Sequence, residues 1–365
     1  MTSVRVGVIG CGNISAAYLK AAKAFPILDI VALADANPEA ARARSAEFDI
    51  PAQSVEDVLA DSAIEVVLNL TVPKAHVEVG LKAIAAGKHV HSEKPLGVTV
   101  AEAQRLVEAG KTRGLRIGCA PDTFLGGAHQ TARQCVDGGL IGRPVGGTAF
   151  FMCPGHERWH PNPGFYYLAG GGPMLDMGPY YVTDLVNLLG PVASVVGVGT
   201  RTRAERLVTS PPLAGTRIPV EVATHVTGVL TFVSGAAVSV TMSFDVPRHR
   251  HVPIELYGEA GSLIAPDPNF FGGKVEVATA AEDWREVPTR HAYADGNYRI
   301  IGLADMAQAI RTGRPHRASG DLAFHVLEVM EAFQKSSQSG AAVAIASRPE
   351  RPAPMPESLK VGELD

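Results

Sequence analysis

The sequence predicts two domains: an α/β unit built on a parallel sheet, then an α+β unit whose sheet is made of longer, alternating strands. Three observations predict this. A chain of 365 residues is too long for one ordinary core. Up to about residue 120, short β-branched runs alternate with longer helical patterns, as a parallel sheet requires. Beyond Pro121 the texture changes to glycine- and proline-rich loops, followed by strands of two-residue period. The expected units are residues 1–121, residues 122–347 and a proline-rich tail, 348–365, extended over the surface.

In the first unit the strand candidates are Val4–Ile9, Ile30–Ala34, Val66–Leu70, His89–Ser92 and Leu115–Gly118. Helix signals lie between them. Asn37-Pro38-Glu39 supplies a cap, a proline at the first helical position and an early acid. Pro73 opens a helix that Gly87 closes, and Thr99-Val100-Ala101-Glu102 reads as a capping box. In the second unit a helix is expected around Gln130–Asp137, then loops from Cys153 to Gly172. The clearest strand is Val238–Phe244, apolar on one face and small or polar on the other; such a sheet leaves one face exposed or covered by another subunit. Val192–Gly199, His225–Phe232, Pro253–Tyr257 and Lys274–Val277 are further strand candidates, and helices follow at Ile300–Arg311 and Leu322–Lys335.

Composition bounds the function. Apolar residues make up 46% and charged residues 19% of the chain, the profile of a soluble globular protein. A net charge of −4 with no Lys/Arg run predicts no nucleic-acid partner. No apolar stretch is long enough to span a bilayer, and the first strand begins too early for a signal peptide. Cys11, Cys119, Cys135 and Cys153 are far apart with no CxxC pair, so free thiols and a cytoplasmic location are expected.

The first chemistry-bearing motif is Gly10-x-Gly12-x-x-Ser15, between a strand and a helix whose residues Ile14, Ala17, Tyr18 and Ala21 share one face. Glycines here permit a tight turn and let the backbone N–H groups of Asn13 and Ile14 approach a pyrophosphate. Taken alone, such a turn also serves shape only. The second strand, however, ends at Asp35, about twenty residues on, where a carboxylate accepts from adenosine ribose hydroxyls. That acid would repel a 2′-phosphate and no arginine follows it directly, so NAD is expected over NADP.

Glu93-Lys94-Pro95 stands just past the strand at 89–92, at the carboxyl edge of the sheet, where ligands of open α/β sheets bind. Gly170-Gly171-Gly172-Pro173 then leads into a segment where Asp176 and Tyr180 are four apart and, on a helix, face one site. A tyrosine beside a lysine suits proton transfer, because the ammonium stabilises the phenolate and lowers the phenol's pKa. Taken singly, Lys94 could be solvated, Asp176 a helix cap and Tyr180 a packing residue.

Taken together, Gly10-Cys11-Gly12, Thr71-Val72-Pro73-Lys74-Ala75-His76, Ala86-Gly87-Lys88-His89-Val90, Glu93-Lys94-Pro95 and Gly171-Gly172…Asp176…Tyr180 resemble the glucose-fructose oxidoreductase / inositol dehydrogenase / rhizopine-catabolism (Gfo/Idh/MocA) family over nearly the whole chain. The resemblance implies an N-terminal Rossmann domain and a C-terminal domain with a large, mostly antiparallel open sheet. That sheet is the implied contact of a homodimer or homotetramer, with substrate held between the domains. It also implies roles. Lys94 becomes the catalytic lysine and Asp176 orients substrate; Thr71, Pro73 and His76 fall near the cofactor, and Glu93 near the nicotinamide ribose. Inositol dehydrogenases carry histidine where this chain has Tyr180, which assigns proton transfer to Tyr180 with Lys94 and puts inositol itself in doubt.

His156-Glu157-Arg158-Trp159-His160 matches the zinc-protease pattern HExxH. That chemistry needs a helix, and Pro154-Gly155 before it and Pro161 after it oppose one, so no metal is expected. His156, Trp159, His160 and Tyr166 suit instead a loop that meets a polyhydroxylated ring, and His249 could reach the same cleft. The expected activity is hydride transfer between NAD and a secondary alcohol of a sugar, cyclitol or related polyol. The alternatives are a redox-neutral glycosidase that oxidises and eliminates, and a non-catalytic NAD-binding sensor.

Overall fold

The computed structural model describes residues 2–365. Its first layer is a five-stranded, wholly parallel sheet of β1 (Val4–Ile9), β2 (Leu28–Ala34), β3 (Val66–Asn69), β4 (His89–Ser92) and β5 (Ile117–Cys119), in the order β2-β1-β3-β4-β5. The connecting helices are α1 (Ser15–Ala22), α2 (Pro38–Phe48), α3 (Val55–Ala60), α4 (His76–Ala85) and α5 (Val100–Arg113). Local chemistry sets their ends. Asn37 caps α2 by accepting the Glu39 N–H, and Thr99 caps α5 by accepting the Glu102 N–H. Gly114, in the left-handed region, closes α5. β3, buried along its whole length, reads as a nearly continuous apolar run, whereas β4 buries His91 and Ser92 beside Val90.

The second layer begins with α6 (Gly127–Asp137), β6 (Pro144–Met152) and α7 (Pro173–Leu189). After them come β7 (Val192–Thr200), a small hairpin of β8 (Glu205–Leu207) and β9 (Arg217–Pro219), β10 (His225–Phe232), β11 (Ala237–Ser243), β12 (Ile254–Gly258), β13 (Gly261–Ala265), β14 (Val275–Thr279) and β15 (Arg285–Val287). Helices α8 (Ile301–Thr312) and α9 (Gly320–Ser339) and the short β16 (Val343–Ala344) complete the chain. Nine of these strands form one sheet, β15-β14-β13-β12-β6-β11-β10-β7-β16, antiparallel except where β11 runs parallel to β6. Helix α9 lies close against this sheet: a Cβ on Gly197 would come within 2.5 Å of the Phe333 ring, so only glycine admits that approach.

Alternation on β7 and β10 turns Val195 and Leu230 into the core and leaves Val196, Val198 and Val229 on the outer face, 51, 55 and 39% exposed. Residues 345–365 carry no regular structure, yet Met355 is buried and Arg351 donates to the Asn187 and Leu188 carbonyls at the end of α7. All four cysteines are free thiols, three of them buried.

Several expected elements need correction. Helix α6 begins at Gly127, three residues before the expected start. The sequence reading also missed β6, because its Gly146-Gly147 pair looks like a turn; the strand needs small residues there, since a Cβ on Gly147 would meet the Glu255 carbonyl oxygen at 2.5 Å. Strand β13 and the β8–β9 hairpin were missed as well; they are short and lack a sustained alternating pattern.

Candidate active site

The turn after β1 has the geometry its glycines require. Gly10 sits at φ +110°, and a Cβ there would lie 2.4 Å from the Leu70 carbonyl carbon. A Cβ on Gly12 would meet no atom of the chain within 4 Å, so the space above the turn is open. Ser15 is fully buried and its hydroxyl donates to the Gly12 carbonyl at 2.7 Å, bracing the turn. Helix α1 has no side-chain cap and no acid in its first turn, which leaves its N-terminus available to an anion; Asn13 and Ile14 lie exposed beside it. At the end of β2, Asp35 accepts the Cys11 N–H at 2.7 Å and the Asn37 N–H at 2.8 Å. An open glycine cradle, an uncapped helix and an acid at the second strand fit a dinucleotide, which when bound supplies a hydride acceptor. Arg44 also reaches this turn, donating to the Gly12 carbonyl at 3.2 Å while paired with Glu47. The sequence reading missed it, because it stands nine positions past Asp35 on α2.

The loop after β4 carries the second group. Lys94 Nζ donates to both the backbone oxygen of Asp176, at 2.8 Å, and its Oδ1, at 2.9 Å. The two side chains are 16 and 19% exposed. Burial alone would depress the Lys94 pKa, but Asp176, Tyr180 and Glu93 hold the ammonium well above its ordinary range. Burial would likewise raise Asp176, but Lys94 and then His156 bring its carboxyl down to about 2. Glu93 lies beneath, its Oε1 accepting from the Tyr18 hydroxyl at 2.9 Å and its Oε2 from the Lys94 N–H at 2.7 Å.

Tyr180, one turn on from Asp176 in α7, is 7% exposed, and Lys94 Nζ lies 5.2 Å from its ring centre. Here the structure corrects the sequence reading. Burial raises the Tyr180 phenol above its ordinary range, and the cations Lys94 and Arg299 only partly offset it. The ammonium also bonds Asp176 rather than the phenol oxygen.

The HExxH run forms a single 3₁₀ turn, His156–Arg158, and its two imidazoles have different partners. His156 Nδ1 accepts the Trp159 indole N–H at 3.2 Å, so in the neutral ring Nε2 carries the proton; Nε2 lies 3.3 Å from Asp176 Oδ2. His160 Nδ1 accepts the Asn162 N–H instead. Glu157 is buried against Arg206 at 3.1 Å and the Tyr167 hydroxyl, and it anchors the loop. Tyr166 packs on His156 with ring centres 4.3 Å apart and the rings tilted by 50°, and Trp159 is 61% exposed at the rim.

Four other expected residues, His76, Thr71, Pro73 and His249, make no contact with the Lys94–Asp176 pair. His76 is fully buried, its ring nitrogens facing the Pro95 and Thr71 carbonyls at 2.7 and 2.9 Å; it braces the Thr71 and Glu93-Lys94-Pro95 loops rather than facing a ligand. The Thr71 hydroxyl donates to Asn69 Oδ1, and Pro73 opens a 3₁₀ turn ahead of α4. His249 is not brought to this site. It is exposed and stacks on His251, whose ring leans on Phe150 of β6. Tyr18, Asp122 and Arg299 join the site although the sequence marks Tyr18 only as a packing residue of its helix and the other two not at all. Asp122 follows β5, and Arg299 stands in a loop whose neighbours carry no motif.

Comparison with known proteins agrees with this geometry. Residues 4–120 match the profile described as "Oxidoreductase family, NAD-binding Rossmann fold", and residues 129–264 match the GFO/IDH/MocA C-terminal domain. Similar proteins include the 1,5-anhydro-D-fructose reductase of Ensifer adhaerens, 31% identical over 181 residues. That match covers 47% of this chain and 53% of the relative, so the chain spans about half the relative's length. The levoglucosan dehydrogenase of Pseudarthrobacter phenanthrenivorans is 26% identical over 335 residues, covering 83% of this chain and 85% of that one. A solved levoglucosan dehydrogenase in complex with NADH and L-sorbose superposes with a TM-score of 0.83 at 22% identity, over 95% of this chain and 100% of that one, which shows the fold. With an NAD-binding Rossmann domain, an open nine-stranded sheet and family profiles matched across most of its length, the chain belongs to the Gfo/Idh/MocA oxidoreductase family.

Proposed function

We propose that this protein transfers hydride between a secondary alcohol of a sugar, cyclitol or related polyol and a nicotinamide dinucleotide, NAD in preference to NADP. The observation that carries the reading is the double contact of Lys94 with Asp176 beside Tyr180. It joins the cofactor-binding unit, residues 1–121, to the sheet-bearing unit, residues 122–347, with the tail 348–365 laid over both. In oxidation the C–H electron pair leaves carbon as hydride, the O–H bond breaks, and its proton passes to the protein as the carbonyl forms. Lys94 holds the reacting oxygen by charge. Asp176 fixes Lys94 and the hydroxyl. Tyr180 carries the proton, because Lys94 is held protonated and the Asp176 carboxyl is too weak a base. Asp35 supports the NAD preference, and Glu47 offsets the positive charge of Arg44 near it. His156, Trp159, His160 and Tyr166 give the substrate an aromatic wall with hydrogen-bonding edges. Through the valine-bearing outer sheet face the protein forms a homodimer or homotetramer.

The test is an NAD-reduction screen over monosaccharides, anhydrosugars, glycosides and inositols, with NADP in parallel and Tyr180→Phe as control. One class should reduce NAD stoichiometrically, with kcat in Tyr180→Phe lower by about 10²-fold or more and NADH binding intact. Near-normal kcat in that variant sinks the role of Tyr180. Equal kcat/KM with NADP removes the cofactor preference. Glycoside turnover without net NADH would favour oxidation–elimination instead.

A further inference from the structure

The loop entering α8 holds a feature that this reading leaves unused. Ile300 is β-branched, yet it sits at φ +112° and ψ −9°. That backbone conformation suits glycine and strains a β-branched residue. Buried contacts keep it there. Asp122 Oδ2 accepts the N–H groups of Ile300 and Gly302 at 2.9 and 3.0 Å, and the Ile300 side chain is fully buried.

The strained residue sets the direction of its neighbour. Arg299 turns inward, and its Nη2 donates to the Asn269 carbonyl at 3.1 Å and to Asn269 Oδ1 at 2.7 Å. Its guanidinium carbon lies 6.0 Å from the Tyr180 ring centre. Lys94 already bonds Asp176 twice, which leaves the Arg299 guanidinium as the second cation beside the phenol. A planar guanidinium can grip Asn269 along one edge and present another to the phenol, which an ammonium cannot do with the same rigidity.

We infer that Arg299 is a positioning residue for proton transfer: held by Asn269 and by the strained Ile300, it keeps its positive charge beside the Tyr180 phenol and stabilises the phenolate. The inference rests on the reading above that Tyr180 carries the substrate proton. In carbonyl reduction the phenol O–H bond breaks, its proton joins the oxygen of the new alcohol, and the phenolate left behind faces Arg299. In oxidation the phenolate oxygen takes the proton of the substrate hydroxyl. The groups that act on the phenol are Lys94 and Glu93 from the loop after β4, Arg299 itself, Tyr18 from α1 and Tyr166 from the substrate loop. Burial and Glu93 favour the neutral phenol, while Lys94 and Arg299 favour the phenolate. The phenol therefore keeps its proton at neutral pH, so reduction proceeds there and oxidation climbs as pH rises.

A titration of the free protein tests this without cofactor or substrate. Tyr180 is replaced by 3,5-difluorotyrosine, whose more acidic phenol brings the midpoint into reach, and followed by fluorine NMR. Arg299→Met should raise the midpoint by about one pH unit or more, as loss of an adjacent opposite charge does. Arg299→Lys should fall closer to the wild type. Coincident midpoints in the wild-type and Arg299→Met backgrounds overturn the inference. If Arg299→Met does not fold, Arg299→Gln keeps an amide donor for Asn269, removes the charge and is read in the same way. In turnover, the alkaline rise of kcat/KM for oxidation should move to higher pH in Arg299→Met, with kcat more affected than KM. A wild-type protein that oxidises no polyol would fail the proposed function, while the titration would still decide the role of Arg299.

Discussion

Lys94 and Asp176 are 82 positions apart, and their contact makes a buried charge pair from two groups that would each be costly alone. Lys94→Met should therefore lower stability at pH 7 as well as remove activity, because it leaves a buried carboxylate without its cation. The expected loss is about 3 kcal/mol. The sign of its pH dependence follows from the depressed Asp176 pKa. A carboxyl whose folded pKa is about 2 contributes stability above the range where an unfolded aspartate titrates, near pH about 4. That contribution disappears as pH falls toward about 2. In Lys94→Met the same carboxyl takes up a proton more readily, so the stability gap between the two proteins should narrow from pH 7 to pH 4. Urea denaturation at both pH values measures it; a gap that widens in acid would contradict the pairing. At this scale the sequence identified Lys94, Asp176 and Tyr180, because each stands in a motif of fixed spacing. It could not find Arg299 or Asp122, whose neighbours in sequence carry no signal, and it placed Tyr18 only on a packing face of its helix; tertiary packing brings all three to the site.

At the scale of the element, the turn between β1 and α1 separates what folding needs from what binding needs. Gly10 is required by the chain itself, at φ +110° with the Leu70 carbonyl carbon 2.4 Å from any Cβ. Gly12 has open space above it. Gly10→Ala should thus lower the melting temperature and weaken NADH binding together. Gly12→Ala should leave the melting temperature near the wild type and weaken NADH binding by about tenfold or more, because the added methyl enters space meant for the pyrophosphate. Differential scanning fluorimetry with NADH fluorescence titration checks both; unchanged NADH affinity in Gly12→Ala would mean that the cofactor does not use this cradle. The capped helices α2 and α5 were legible for the same local reason as the turn. Strand β6 was not, because its glycines serve a neighbouring backbone that lies far away in sequence.

At the scale of the whole molecule, the open sheet leaves Val196, Val198 and Val229 side by side, Val196 directly opposite Val229 across the β7–β10 ladder. Unpaired valines on one sheet face form the kind of patch that a second copy covers. Val198→Lys combined with Val229→Lys should shift the mass in solution toward the monomer without lowering the melting temperature of that monomer, as light scattering with size exclusion would show. An unchanged mass would sink the proposed contact through this face. The two sheets are also tied together within the chain. Lys94 reaches α7, Phe25 stacks on Tyr293 at 5.7 Å, and a Cβ on Gly362 of the tail would lie 2.7 Å from the Ala24 carbonyl.

The sequence by itself determined the dinucleotide turn, the parallel order of elements before residue 120, the alternating strands after it, and the residues Lys94, Asp176 and Tyr180. All of these are written in local periodicity, capping and short-range spacing, which physics reads within one or two turns of chain. The tertiary structure decided the rest. It bonded the Lys94 ammonium to Asp176 instead of the phenol, and it raised the Tyr180 phenol by burial where charge alone would have lowered it. It turned His76 into a brace, took His249 away from the site and brought Arg299 in on a strained backbone. Desolvation and long-range contact depend on what the whole chain encloses, and no window of sequence contains that.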